Sequence, residues 1–90
     1  MARAQMACRS GRWHLYVIKF GVPKWPTHRF TGAAVPTLAE RAQALEALGY
    51  VLTGPPEWDW MEDAEQYGNP ASPVVLIAVA HVAPAVGGAA

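Results

Sequence analysis

Two stretches of this chain carry apolar residues on both sides of a period-two pattern. In "WHLYVIKF" one set is Trp13, Leu15, Val17 and Lys19, and the other is His14, Tyr16, Ile18 and Phe20. Between Val74 and Val82, the set Val75, Ile77, Val79 and His81 alternates with Val74, Leu76, Ala78, Ala80 and Val82. Successive strand residues point to opposite faces, so a strand that is apolar on both sides belongs where both are covered. A single helix can cover one face of a sheet. The other face needs a second layer.

The helix is specified at both ends. Thr37 followed by Glu40 is a capping box, in which hydroxyl and carboxylate satisfy free backbone amides at the helix start. Leu38, Ala42, Leu45 and Leu48 then recur at helical spacing, and Gly49 suits the left-handed position that ends a helix, with Tyr50 beyond it placed to pack on Leu45. The spacing predicts a helix over Leu38 to Leu48. Arg41 stands at the edge of this stripe and is expected to lay its stem over the core with its head in water.

The remaining segments read as strands and turns. Gly21, Pro23 and Pro26 mark a wide turn after the first strand, and Thr27 to Thr31 returns as a short second strand. "YVLT" after the helix is extended. Residues 57–67 fit either a helix or a strand: Pro56, Gly68 and Pro70 suit helix ends, whereas Trp58, Trp60 and Glu62 alternate with Asp59 and Met61. The strand is preferred, because it would pair with Val74 to Val82.

The expected fold is α+β, a two-layer ββαββ arrangement with an antiparallel sheet and one helix on one face. With 90 residues, 52% of them hydrophobic and 16% charged, the chain reads as one small domain over residues 12–83. Domains of this size sit near the limit of what one core can stabilise, and oligomerisation often adds the rest. Residues 1–11 read as a flexible basic arm and residues 84–90 as a flexible tail. A symmetry mate is the simplest cover for the second sheet face, which predicts a homodimer.

Charge is segregated along the chain. Arg3, Arg9, Arg12, Lys19, Lys24, Arg29 and Arg41 all precede residue 46, whereas Glu40 alone opposes them there; the rest of the chain holds no Lys or Arg and six acids. Such asymmetry predicts either neutralisation between halves or subunits, or a nucleic-acid partner for the basic half. Stacking residues Trp25 and His28 lie among the cations, which suits single strands. No recognition helix or RNA-binding signature accompanies them, so nucleic acid ranks second.

The inventory for catalysis is poor. Cys8 lies in the expected arm, where a nucleophile cannot be held beside His14, His28 or His81. Ser10 and Ser72 lack a nucleophile-elbow context, and no glycine-rich phosphate loop precedes the helix. The three histidines and Asp59 have no metal-binding spacing, and Glu57, Asp59, Glu62 and Asp63 read as a solvated acidic edge. A non-enzymatic protein with no cofactor and no metal is expected. Its expected interaction residues are Trp13, Tyr16, Trp25, Arg29, Trp58 and Trp60.

Trp58 and Trp60 are read as core or subunit-interface residues, with an exposed aromatic-acidic edge for a basic partner as the alternative. The N-terminus has no apolar segment behind its charges, and no run approaches the roughly 20 residues of a membrane span. A lone cysteine forms no intrachain disulfide and suits a reducing cytoplasm.

"W-x-L-Y-V", "PTLAERAQALEALGY", "W-x-W-x-E" and "PVVLIA" together resemble a family of small uncharacterised actinobacterial proteins. Seventeen alanines and five arginines against two lysines agree with a GC-rich source. The resemblance spans residues 13–82 and implies no activity. The residues themselves point to a small protein-protein interaction module that self-associates through its apolar sheet face.

Overall fold

The computed structural model describes residues 2–85. In chain order the elements are β1 Ala2–Arg9, β2 Arg12–Ile18, β3 Thr27–Arg29, α1 Leu38–Leu48, β4 Tyr50–Leu52, β5 Asp59–Ala64 and β6 Val74–Pro84. All strands pair antiparallel in one sheet of order β3-β2-β1-β6. The far side of β6 is shared: β5 pairs with Val74 to Val79, and β4 pairs with Val82 to Pro84. The α+β class, the single helix and the antiparallel sheet are those expected, with six strands in place of four.

The main correction concerns the expected arm, residues 1–11, of which Met1 lies outside the described residues. Residues 2–11 are not an arm: β1 is the central strand, paired with β2 from Arg3 to Arg9 and with β6 from Ala2 to Ala7. Its inward set is Ala2, Ala4, Met6 and Cys8, of which Ala4 and Met6 are fully buried. Ser10 and Gly11, at φ 54° and 76°, form the two-residue connection between Arg9 and Arg12. Positive φ at both central residues is what the right-handed twist of a tight hairpin requires. Pro84, expected in the tail, ends β6, and the Ala85 amide donates to Gly49 O at 2.9 Å. Residues 86–90 of the expected tail lie outside the described residues.

The capping box and Gly49 operate as expected. Glu40 N donates to Thr37 Oγ1 at 3.1 Å, and Thr37 N donates to Glu40 Oε1 at 2.8 Å. Gly49 takes the left-handed conformation at φ 90°, where a Cβ would be strained. The buried stripe is rotated from the expected one. Arg41, Ala44 and Leu45 face inward, Leu48 packs at the margin, and Leu38 and Ala42 are exposed.

The core lies between α1 and one face of the sheet. Cross-strand neighbours share a face, so the register places Ala4, Met6, Leu15, Val17, Ala78, Ala80 and Val82 on it, beneath Ala44 and Leu45. Three of these positions are alanines in the sheet centre. Their small size makes room for Trp13, Trp58 and Phe30, which pack in the same cluster. The hairpin of β5 and β6 extends past this cover, leaving Val74 60% and Leu76 52% exposed on the helix side.

A central β1 has a measurable consequence. Amide hydrogen exchange at Ala4 to Ala7 should be among the slowest in the protein, and Met6→Ala should lower stability by about 2–5 kcal/mol in urea denaturation. Fast exchange over residues 2–9 would be the behaviour of an arm.

Candidate functional site

Five of the six expected interaction residues fall into two aromatic groups on opposite faces of the sheet. On the helix side, Trp60 meets Trp13 edge to face, with ring centroids 5.8 Å apart at 88°. The Arg41 guanidinium carbon lies 5.7 Å from the Trp58 ring centre and 5.6 Å from that of Trp60. Both distances are within cation–π range. Arg41 is therefore buried between helix and tryptophans, contrary to the expected head in water. Its Nε donates to Pro36 O at 2.9 Å, and burial lowers its pKa. Arginine nonetheless stays protonated at any ordinary pH.

This cluster is structural. Trp13 is buried and its Nε1 donates to Ala33 O at 3.2 Å, which together with the Arg41–Pro36 bond ties the segment before α1 to the core. Trp58, 6% exposed, directly precedes β5, and its Nε1 is buried without a hydrogen-bond partner. Trp60 is 43% exposed and closes the cluster at its rim. The expectation that Trp58 and Trp60 serve the core is thus met by Trp58, whereas Trp60 divides itself between core and surface.

The opposite face has no helix over it. The register brings Arg29, His14, Ala7, Ile77 and Met61 into one row across the sheet, and Thr27, Tyr16, Gln5, Val79 and Asp59 into the next. Arg12 and Arg9 pair in a third row, on whose other side Asp63 pairs with Val75. The face therefore has an apolar centre in Ala7, Ile77 and Val79, of which Ala7 and Val79 are already buried by their neighbours, cations on β1, β2 and β3, and carboxylates on β5. The two signs meet in a concavity lined by Arg9, Asp63 and Glu65. Elsewhere they are separated by up to four strand spacings, about 19 Å.

Tyr16 and Trp25 belong to this face. Their rings stack at 5.8 Å and 19°, the Tyr16 hydroxyl donates to Gln5 Oε1 at 2.9 Å, and Trp25 Nε1 donates to Lys19 O at 2.7 Å. Arg29 is exposed beside His14. The structure thus separates Trp13, Trp58 and Trp60 from Tyr16, Trp25 and Arg29. Sequence reasoning missed Arg9, Arg12, Asp59 and Asp63 as members of one face, because with β1 read as an arm no register could connect them. The Ser10–Gly11 dipeptide and the alternation of Ala4, Met6 and Cys8 with Arg3, Gln5 and Arg9 were the available signals.

Among the described residues, no three His, Cys, Asp or Glu side chains converge as metal ligands, and no helix is long and apolar enough to cross a membrane.

The division of the tryptophans can be measured. Trp58→Ala should cost about 3–5 kcal/mol in urea denaturation, as expected for emptying a large buried site. Trp60→Ala should cost about half as much, since much of its surface is already in water. Equal costs would place Trp60 fully in the core.

No curated protein and no solved structure matches the chain. The sequence does match, over residues 1–90, a family of unknown function. The chain belongs to this family, DUF6303.

Proposed function

We propose that this protein is a small non-enzymatic interaction module that self-associates through the helix-free face of its sheet. The observation that carries this reading is the charge pattern of that face. An apolar centre is flanked by Arg12 and Arg29 on one side and by Asp59 and Asp63 on the other. A two-fold axis parallel to the strands, passing between β1 and β6, lays β2 of each copy over β5 of its partner and β1 over β6, with β3 at the rim just beyond β5. Isologous contacts are the commonest route to soluble oligomers, and an apolar centre with a charged rim is their usual anatomy. An axis perpendicular to the strands would oppose like charges, so the face also selects one orientation.

The same basic strands support a second reading as a nucleic-acid adaptor, which the carboxylates of β5 on that face oppose. The lone thiol of Cys8 suits a reducing cytoplasm, and the alanine-rich, arginine-over-lysine composition suits an actinobacterial source.

Sedimentation velocity at micromolar concentration should show a dimer. Asp59→Arg with Asp63→Arg should weaken it by about tenfold or more, and adding Arg12→Glu with Arg29→Glu should restore it, since the complementarity is then re-formed with inverted sign. A monomer at these concentrations, or a charge swap that restores nothing, overturns the proposal.

A further inference from the structure

A cleft of about 770 Å³ opens across the strand ends at the start of β1, the end of β2 and the end of β6. Its size is in the range of small-molecule sites. Residues of both sheet faces line it: Arg3, Ile18 and His81 from the helix-free face, and Ala2, Tyr50 and Pro84 from the other. Lys19 and Phe20 complete the wall. Three nitrogen-bearing side chains, Arg3, Lys19 and His81, therefore surround one space, and among the described residues no carboxylate borders it. In a chain of zero formal net charge, this is a local concentration of positive potential.

The aromatic part of the wall is equally distinctive. Phe20 is 95% exposed and contributes nothing to the core. The backbone around it is nevertheless held in place. The preceding carbonyl, Lys19 O, accepts the Trp25 indole N–H at 2.7 Å, Val17 N donates to Pro26 O at 3.0 Å, and Gly21 turns the chain at φ 76°. Tyr50 is fixed on the far side by its pairing with Pro84. A large apolar ring in water beside two cations offers a stacking surface next to an anion site.

We infer that this cleft binds a phosphorylated nucleoside, with the phosphate held by Arg3, Lys19 and His81 and the base stacked on Phe20 or Tyr50. Charge-assisted bonds to the phosphate supply the stronger contacts, and the ring supplies a sequence-tolerant platform. The shared ligand chemistry is that of a free nucleotide or of a phosphorylated strand end. The inference is independent of self-association, because the cleft lies at the strand ends and not at the apolar centre of the face.

Isothermal titration at low salt with each of the four ribonucleoside monophosphates tests it. At least one should bind, with adenosine and inorganic phosphate each about tenfold or more weaker, because each lacks one of the two contacts. Phe20→Ala and Lys19→Gln should each weaken binding about tenfold without moving the melting temperature, since both side chains are exposed. A phosphorylated single-stranded oligonucleotide that binds tenfold tighter than every mononucleotide identifies the strand end as the source; equal or weaker binding identifies the free nucleotide. No binding by any mononucleotide or by the oligonucleotide overturns the inference. So does phosphate binding as tightly as the nucleotides, or full retention of affinity in both variants.

Discussion

The sheet depends on the pairing of β1 with both neighbours. Through Ala2–Arg9 the β2–β3 hairpin is joined to β6 with its partners β4 and β5. Without it the chain would hold two small ribbons, each with an unpaired edge, and isolated ribbons of that size are marginal in water. The strand achieves this with modest residues. Ala2, Ala4, Met6 and Cys8 point inward, and the arginines, Gln5 and Ala7 point to the other face. Its stability comes from backbone bonds on both sides and from neighbours that supply the bulk its own side chains lack.

That choice of small residues determines how the helix side is built. Where Ala4, Ala78 and Ala80 leave space, Trp13 and Trp58 fill it, and Arg41 enters from α1 with its guanidinium against Trp58 and Trp60. A buried cation is costly when unpaired. Here the indole faces and the carbonyl of Pro36 offset that cost without a carboxylate. Arg41 thereby links three segments distant in sequence: the loop before the helix, the helix, and the start of β5.

The other face turns a charge gradient along the chain into one across space. Because β1, β2 and β3 come from the basic half and lie together, and β5 comes from the acidic half and lies at the opposite edge, the sequence asymmetry becomes a lateral dipole over an apolar centre. The proposed dimer neutralises this dipole between copies. The cleft at the strand ends draws on the same basic strands, yet among the described residues it has no acidic counterpart within its walls.

The sequence by itself determined the helix, whose capping box and terminal glycine are local signals that need no tertiary partner. It also determined the extended character of Trp13–Ile18 and Val74–Val82, since alternation of large apolar residues is a strong signal at short range, whereas Asp59–Ala64 fitted a helix as well as a strand and was decided by its pairing with β6. It left β1 unread, because Ala4, Met6 and Cys8 carry too little apolar bulk to mark a strand alone, and the Ser10–Gly11 turn acquires its meaning only from the pairing around it. Tertiary structure alone decided the phase of the helix. Leu38 and Ala42 fit the stripe by spacing, yet the buried position went to Arg41, whose guanidinium lies against two indole rings delivered from residues 58 and 60. Tertiary structure likewise decided which charges share a face, since strand order and register, neither of them local, place Arg12 and Arg29 opposite Asp59 and Asp63.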